Sequence, residues 1–353
     1  MVNKNLVVNI LLSISAIFFI FILLEIFLNL FPMFTFYYIL PKGLFENAEP
    51  PLDFRIVPGF KGKMVGEYNV EVDINSEGLR DYEHKPTSDN FRILALGDSL
   101  VFGYGVNLNE TFLSVIEKQL NVEIIKAGVP AYGQDNELAY LITKGMNYNP
   151  DVVIIFYYLN DNDDNEDNTD RKVAYGNLIQ KYRYETLSEW RLYVYTKLYR
   201  TNTIRLIRGA FFNLKLFFDK NTQTGLIEDK LFFKNQTQKS KEWAKTVALF
   251  KEFKNHINNS AQLIIVYIPD KKQIYPEKYS SYFDLNMDVD KPNKVLKDVA
   301  LSLNITYIDV TKEIRDLNQS NLYFKYDPHF NEKGHYLFGT LIADELKNVI
   351  KTK

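Results

Sequence analysis

The sequence contains no cysteine among its 353 residues. Disulfide scaffolds, thiolate zinc sites, iron–sulfur clusters and cysteine nucleophiles are therefore excluded, and any covalent catalysis must use oxygen or nitrogen. Histidine is scarce, with four residues in the chain. Charge of one sign is not in excess, because 42 Lys and Arg face 44 Asp and Glu. The chain thus lacks the basic surface of a nucleic-acid-binding protein, and we expect no nucleic-acid partner.

A long hydrophobic run stands near the N-terminus. Residues 6–31 consist mainly of Leu, Ile, Val and Phe, and no charged residue occurs between positions 6 and 24. As a helix, that uncharged stretch would be about 28 Å long, close to the hydrocarbon thickness of a bilayer. It is apolar on all sides, unlike an amphipathic helix, and no small-residue cleavage site follows it. We therefore predict an uncleaved, single-pass transmembrane anchor at 6–31.

The charge that flanks this anchor predicts its orientation. Lys4 and the amino terminus precede it, and positive charge favours the cytoplasmic side of a membrane. The expected arrangement is a cytoplasmic tail at residues 1–5 and an extracytoplasmic chain from residue 32 onward.

After a turn-rich linker and β-rich entry segment at residues 32–90, apolar runs alternate with helical patterns. The runs lie at 92–96, 122–125, 151–158, 262–268 and 305–310. They are continuous, as in strands that helices cover on both faces. We predict an α/β fold: a three-layer α/β/α sandwich with a mostly parallel sheet over residues 91–353, preceded by one transmembrane helix.

The alternation stops at about residues 162–240, which we interpret as an insertion. It begins with an acidic loop around Asp161, Asp163 and Asn165, which lacks the glycine and the closing glutamate of a calcium loop. We expect a solvated loop and no metal site there. A basic, aromatic segment follows at residues 190–218. It is consistent with a membrane-surface segment, a lid over the substrate, or helices whose aromatic face packs on the main domain.

Gly97, Asp98 and Ser99 directly follow the first buried strand and precede a helical stretch. A serine there lies at the carboxyl end of a parallel sheet, where α/β proteins place their sites. It is also close to helix N–H groups that favour developing negative charge. The alternative is that Asp98 or Ser99 simply caps the helix.

The far end of the chain supplies a possible base for this serine. Two of the four histidines, His329 and His335, fall just before and within the last helical pattern. A serine hydroxyl needs a base to take its proton, and the base needs a carboxylate to orient it. Asp327 and His329 are suitable for that pair, whereas we interpret His335 as a packed residue of the helix.

These residues resemble the motifs of the SGNH hydrolase family, the GDSL-type esterases and acyltransferases, in its membrane-anchored bacterial form. The first block is Gly-Asp-Ser-x-x-x-Gly at residues 97–103, and the second is at 126–133. The third, usually Gly-x-Asn-Asp, appears at 158–161 with Tyr in place of Gly. The last pairs Asp327 with His329. The resemblance implies the SGNH, flavodoxin-like form of the α/β/α sandwich.

The same resemblance implies a role for each matching residue. Ser99 would be the nucleophile, His329 the general base and Asp327 the carboxylate that orients it. The oxyanion hole would consist of the backbone N–H groups of Ser99 and Ala131 and the side-chain amide of Asn160. Ala131 stands where the family usually has glycine, and a backbone donor allows that replacement.

Two other features of the motifs modify the resemblance. Many family members have Asp-x-x-His, whereas here Tyr326 occupies that aspartate position and the spacing is Asp-x-His, which occurs in SGNH-like enzymes that modify exopolysaccharides. In the third block, we expect Asp161 to hold the loop. Residues 74–81 resemble a segment that precedes the serine block in membrane-anchored bacterial members, and we assign them no catalytic role.

The predicted function is that of a membrane-anchored extracytoplasmic serine esterase. Its expected substrates are acyl esters, mainly O-acetyl esters, of cell-envelope or exported glycans, and no cofactor is expected. Three alternatives stay open: a glycan O-acetyltransferase with a separate acyl-donor partner in the membrane, a lipid esterase, and a non-catalytic SGNH-like protein that binds glycans.

Overall fold

The computed structural model describes residues 4–30, 40–161, 165, 171–199, 201–204, 206–207, 233–234, 240–280, 283, 287–325 and 327–350. The strands are β1 Phe45–Asn47, β2 Phe54–Ile56, β3 Lys61–Val65, β4 Asn69–Asp73, β5 Arg92–Gly97, β6 Glu123–Gly128, β7 Val152–Tyr157, β8 Arg171–Ala174, β9 Asn177–Gln180, β10 Gln262–Tyr267 and β11 Thr306–Asp309. The α-helices are α1 Lys4–Leu30, α2 Ser99–Phe102, α3 Phe112–Leu120, α4 Gln134–Thr143, α5 Lys181–Thr186, α6 Glu189–Tyr199, α7 Lys241–Ile257, α8 Lys271–Ile274, α9 Lys291–Ser302, α10 Thr311–Asp316 and α11 Glu332–Val349.

A five-stranded sheet forms the centre of the fold. Its strand order is β11-β10-β7-β5-β6, and each neighbouring pair is parallel. All residues of β5 and β7 are buried, because helices cover both faces of the sheet. The apolar runs at 92–96 and 151–158 coincide with these strands, so the predicted parallel sheet is confirmed.

The two faces of the sheet pack against separate hydrophobic cores. Leu94 and Leu96 contribute to one core, together with α4, α7, α9 and the entry segment. Ile93 and Ala95 alternate with them and contribute to the other, together with α2, α3, α10 and α11. This arrangement confirms the predicted three-layer α/β/α sandwich.

The predicted anchor lies on α1. In the described part of the chain, residues Asn5–Leu30 form the one helix that is long and apolar enough to cross a membrane. Most of its apolar side chains are exposed in the folded chain. A membrane span and a signal sequence both meet these criteria, and the predicted orientation is not tested by them.

The entry segment folds as two antiparallel hairpins, β1–β2 and β3–β4. Phe54, Met64 and Val72 are buried in the same core as Leu94. The entry segment therefore packs directly on the sheet, and the turn between β3 and β4 is brought towards the carboxyl ends of the strands.

Within the predicted insertion, β8 and β9 form a further hairpin, followed by α5 and α6. Residues 162–164 and 166–170 of the acidic loop, and residues 200, 205 and 208–218 of the basic, aromatic segment, lie outside the described residues. Asp161 and Asn165, which the structure describes, are buried, so the interpretation of the acidic loop as solvated is wrong there and stays a prediction for the other positions.

Candidate active site

The sharp turn after β5 explains the spacing of the first sequence block. Asp98 is the N-cap of α2, and its Oδ1 accepts the backbone N–H of Leu100 at 2.8 Å. The helix has a single turn and ends at Gly103, whose φ of 76° is the left-handed conformation that glycine adopts without strain. Capping by Asp98 is thus confirmed, and Ser99 as the first helical residue is left partly exposed at the sheet edge.

A short loop before α11 carries the histidine. An antiparallel bridge between Tyr323 and Phe330 closes this loop. The backbone N–H of Phe324 donates to the carbonyl of His329 at 3.1 Å, and Lys271 Nζ donates to the carbonyls of Phe324 and Lys325. The loop is therefore held at both ends and from the side. Tyr326 lies outside the described residues.

The structure brings Ser99, Asp327 and His329 together. Ser99 Oγ is 2.7 Å from Nε2 of His329, across 230 residues of sequence. Nδ1 of the same ring is hydrogen-bonded to Asp327 Oδ1, which also accepts the backbone N–H of His329 at 2.9 Å. A hydroxyl, an imidazole and a carboxylate in this order can transfer a proton from the hydroxyl to the ring.

The interactions of Asp327 with His329 keep this carboxylate ionised although it is buried. Burial of Asp327 opposes its ionisation, but the charge and hydrogen bonds of His329 more than compensate, so the pKa of Asp327 is lowered. Asp327 and His329 are buried, whereas Ser99 is partly exposed. The reactive hydroxyl therefore faces the surface while its supporting groups are shielded from water.

Asn160 and Ser99 both contact the carboxylate of Asp98. Its Nδ2 donates to Asp98 Oδ2 at 3.2 Å, and Ser99 Oγ is 3.4 Å from the same oxygen. Asp98 is buried, and that burial raises its pKa. The sequence predicted Asp98 only as a cap, and its contact with Asn160 positions an amide donor near the hydroxyl.

Ala131 lies in the loop between β6 and α4, at the same end of the sheet. Its φ is 70°, a left-handed conformation that glycine adopts more easily than alanine. This backbone conformation accounts for the glycine that the resemblance led us to expect there. Gly128, just before it, packs so closely on α2 that a Cβ would lie 2.2 Å from the backbone nitrogen of Phe102.

Asp161 has the structural role that the sequence suggested. It is buried, and its Oδ2 accepts the backbone N–H of Tyr158 at 3.0 Å and the amide of Gln134 at 2.6 Å. These bonds hold the loop that carries Asn160, so the prediction for Asp161 is confirmed.

The turn between β3 and β4 contributes residues that the sequence analysis missed. Tyr68 donates its hydroxyl to Asp327 Oδ2 at 3.3 Å, and Glu67 accepts the backbone N–H of Lys325 at 2.8 Å. Burial, before all other causes, raises the pKa of Tyr68 far above its usual range, so the phenol stays protonated. No motif in the entry segment predicts these contacts, which join residues more than 250 positions apart.

Tyr104 is a second missed residue. Its ring stacks on that of His329, with centroids 4.6 Å apart and planes 21° apart. The adjacent Gly105 has a φ of 83°, and a Cβ there would lie 2.6 Å from the Phe324 ring. Glycine therefore allows the His329 loop to approach the chain that follows α2.

Arg80 gives residues 74–81 a structural role. It is buried, and its guanidinium donates to the carbonyls of Phe102, Gly103 and Val106 at 3.1, 2.6 and 2.8 Å. These carbonyls belong to the end of α2 and the loop that follows, so Arg80 secures the element that begins with Ser99.

Two other histidines, the buried His335 and the partly buried His84, have different surroundings. His335 accepts the backbone N–H of Phe112 on Nδ1 at 3.2 Å, and burial lowers its pKa to about 3, so it is a neutral, packed residue as predicted. His84 is bonded to carboxylates on both nitrogens, Asp81 at 2.7 Å and Glu123 at 2.9 Å. In the described part of the chain, no group of three or more His, Asp or Glu residues is arranged to hold a metal ion.

Comparison with known families agrees with the motifs. Residues 228–353, about a third of the chain, match the family model described as the SGNH hydrolase-like domain of acetyltransferase AlgX. The match includes Asp327 and His329 but does not reach Ser99. It confirms the resemblance to SGNH hydrolases and, at this coarse level, an enzyme that hydrolyses esters or transfers acyl groups. No curated protein matches the chain in sequence.

Several solved structures are similar to parts of the chain. A lipolytic protein of the G-D-S-L family from Desulfitobacterium hafniense DCB-2 has 13% identity and a TM-score of 0.41, with 72% of this chain and 99% of that one covered. The lipase/acylhydrolase from Enterococcus faecalis has 17% identity and a TM-score of 0.39, with 74% of this chain and 98% of that one covered. An acetyl xylan esterase, AlAXEase, has 12% identity and a TM-score of 0.39, with 74% of this chain and 100% of that one covered. With TM-scores below 0.5, these similarities carry no argument about the reaction.

Proposed function

We propose that the chain is a membrane-anchored, extracytoplasmic serine esterase for O-acetyl esters of glycans, with Ser99, His329 and Asp327 as catalytic residues. The observation that supports this most directly is the 2.7 Å distance between Ser99 Oγ and His329 Nε2, with Asp327 on the other ring nitrogen. The match of residues 228–353 to an SGNH hydrolase-like domain supports the same chemistry.

The reaction begins with attack of Ser99 Oγ on the ester carbonyl carbon while His329 Nε2 takes the hydroxyl proton. The ionised Asp327 stabilises the imidazolium that forms. As the tetrahedral intermediate collapses, the C–O bond to the alcohol breaks and His329 returns the proton to that oxygen. The product of this half-reaction is an acyl-Ser99 ester, which water hydrolyses by the same steps in reverse.

The negative oxygen of the intermediate requires hydrogen-bond donors. We assign this role to the backbone N–H groups of Ser99 and Ala131 and to the Asn160 amide. Support comes from the proximity of Asn160 to Ser99 through Asp98, and from the turn at Ala131. Loss of one such donor typically reduces the rate by about 10²–10³-fold.

The membrane arrangement supports a substrate outside the cell. α1 has the length and composition of a span, and Lys4 on its N-terminal side favours a cytoplasmic N-terminus. The sheet and Ser99 would then lie outside, where acylated glycans of the envelope are found. Lipid esters are the next substrate class, since α1 keeps the domain at a bilayer.

A second candidate function is glycan O-acetylation. The matching family model is described by an acetyltransferase, and the same acyl-Ser99 intermediate can be attacked by a sugar hydroxyl instead of water. The choice depends on how well the site excludes water and binds the acceptor. A transferase would take its acyl group from a separate donor protein in the membrane.

The test uses the full chain in detergent with p-nitrophenyl esters from acetate to octanoate. We expect turnover that is fastest with acetate and absent in Ser99→Ala. Ser88→Ala is the matched control, because Ser88 precedes β5 and thus lies at the opposite end of that strand from Ser99. Equal, negligible rates for wild type and Ser99→Ala would contradict the esterase.

A second arm separates the two candidate functions. Neutral and uronic-acid oligosaccharides are added to the p-nitrophenyl acetate reaction, and acetylated sugars are measured by mass spectrometry. Ser99-dependent acetylation of an oligosaccharide that outpaces hydrolysis would favour the transferase. Hydrolysis that the sugars do not change would favour the esterase.

A further inference from the structure

Helix α6 has apolar residues on two opposite faces. Leu192 and Thr196 are buried on one face, where Leu192 packs with Ala174 and Ile179 of the β8–β9 hairpin. The opposite face is exposed and mainly apolar, with Lys197 as the charged residue within it. Its exposed members, at helical spacing, are Trp190, Tyr193, Val194 and Leu198.

Two basic residues accompany this exposed face: Lys197 lies within it and Arg191 at its edge. The Arg191 guanidinium lies 5.4 Å from the centre of the Trp190 ring, and Lys197 Nζ lies 5.3 Å from that of Tyr193. Tryptophan and tyrosine next to Lys and Arg are typical of segments at the boundary between headgroups and acyl chains of a bilayer. A contiguous apolar surface of this kind indicates an interaction site.

The chain just after α6 is bonded to α1. Glu25 of α1 accepts the backbone N–H groups of Asn202 and Thr203 at 2.9 and 2.7 Å, and the Thr203 hydroxyl at 2.9 Å. The Asn202 amide donates to Asn29 Oδ1 at 3.1 Å. These contacts attach the end of α6 to a specific position on α1.

That position directly follows the uncharged part of the apolar run, on its C-terminal side. Glu25 is the first charged residue after the uncharged stretch at 6–24, which by itself spans about 28 Å, close to the hydrocarbon thickness. Asn202 is three positions after the last residue of α6, so the helix ends within about 11 Å of the contact with α1. A bilayer around α1 would therefore have its boundary at the level of α6.

We propose that α6 lies in the headgroup region of the same bilayer that α1 crosses, with Trp190, Tyr193, Val194 and Leu198 directed towards the acyl chains. The proposal rests on α1 as a membrane span, which is part of the proposed function. The partner of this surface is a phospholipid bilayer, because the chain directly after α6 is bonded to the apolar helix α1. With this second attachment, the domain is held in one orientation to the membrane.

Tryptophan fluorescence tests the proposal directly. The chain has two tryptophans: Trp190 is 65% exposed and Trp243 is fully buried. The full chain is reconstituted in phosphatidylcholine–phosphatidylglycerol vesicles with ordinary or brominated acyl chains. We expect bromine to quench wild-type emission, more strongly at acyl positions 6 and 7 than at 11 and 12, and to leave the emission of Trp190→Phe unchanged.

A pair of charge variants sharpens the test. Leu198→Asp places a charge on the exposed face of α6 and is expected to reduce the quenching. Leu301→Asp places the same charge at a leucine of α9 that is also exposed, and quenching is expected to stay at the wild-type level.

Flotation of the vesicles separates the two ways in which the proposal can fail. If the chain floats but bromine does not quench Trp190, α1 is inserted and the α6 proposal is wrong, which leaves a protein partner for this surface. If the chain does not float, the membrane anchor itself is wrong and the α6 proposal fails with it. Ester turnover in the same samples reports on the catalytic residues independently.

Discussion

The two ends of the sheet each hold a histidine next to carboxylates, with different results. At the carboxyl ends of the strands, His329 has Asp327 on one nitrogen and the Ser99 hydroxyl on the other. At the amino ends, His84 has carboxylates on both nitrogens, from Asp81 and Glu123. A histidine–carboxylate pair can therefore act as a base only where the second ring nitrogen is left to a reactive hydroxyl.

The surroundings of His84 explain why it belongs to the scaffold. Lys126 bonds Asp81 at 3.1 Å, and Arg92 bonds Glu123 at 2.9 Å. Burial opposes the positive form of His84, but the two carboxylates outweigh it, so its pKa is raised. The cluster joins the entry segment to the first residues of β5 and β6, whereas the Ser99 cluster opens to the surface.

Removal of each histidine should separate the two roles most clearly. His329→Gln is expected to lower kcat/KM for p-nitrophenyl acetate by about 10⁴-fold or more, as loss of a triad base does elsewhere. His84→Gln should leave kcat/KM within about twofold, because the ring contacts no residue of the site. Comparable losses in both variants would remove the distinction drawn between the two ends.

For stability, we expect the larger loss from His84→Gln and the smaller loss from His329→Gln. His84→Gln leaves two carboxylates with fewer partners in a buried cluster, so unfolding of the full chain by urea in detergent should need about 1–3 kcal/mol less free energy. His329→Gln should change it by less than about 1 kcal/mol, since Asp327 keeps its bonds to Tyr68 and the backbone. A larger loss in His329→Gln than in His84→Gln would contradict the comparison.

Tyr68 is expected to act as a positioning residue on the catalytic side. Tyr68→Phe removes one hydrogen bond to Asp327, and a bond of this kind contributes about 0.5–1.5 kcal/mol, so kcat should fall by roughly 2–13-fold. Because the lost bond helps to lower the pKa of Asp327, the acidic limb of the kcat/KM profile should move to higher pH. Tyr336→Phe, at an exposed tyrosine, is the control, and an unchanged pH profile in Tyr68→Phe would exclude the role.

The smallest expected effect is the pH dependence of the stability that His84 contributes. The folded-state pKa of His84 is raised above the ordinary value of 6.5, so its stabilising contribution is complete below pH 6.5 and is lost as pH rises through the raised pKa. Glu123, whose burial is outweighed by bonds to Arg92 and His84, has its pKa lowered to about 2 and stays ionised throughout. The difference in unfolding free energy between wild type and His84→Gln should therefore shrink from pH 6 to pH 9. A constant difference would mean that His84 does not titrate in this range.

Patterns along the chain predicted the sheet and the proximity of Ser99, Asp327 and His329, for physical reasons. The strands are covered on both faces, so their runs are continuously apolar, as at 152–157, and easily recognised. Ser99, Asp327 and His329 lie in short motifs whose spacing follows from a one-turn helix and a closed loop. Strand and helix ends differed by a few residues, as for the predicted strand at 122–125, which spans Glu123–Gly128.

Contacts that depend on tertiary packing could not be predicted. Tyr68 reaches Asp327 from a hairpin with no motif, and its partner is 259 residues away. Arg80 bonds main-chain carbonyls, which leave no trace in sequence. The apolar residues of α6 lie on two faces, so the sequence shows no single hydrophobic stripe from which either face could be predicted.

The sequence separation of Ser99 and His329 also determines how long after Ser99 the ribosome synthesises His329. At about 5–20 residues per second, a ribosome needs roughly 10–50 s to pass from one to the other, a separation of 230 residues. During that interval the hydroxyl is already made and has no base to activate it. With Ser99 and His329 in the proposed roles, a nascent chain is inert towards esters, and the appearance of activity marks the closure of the loop before α11.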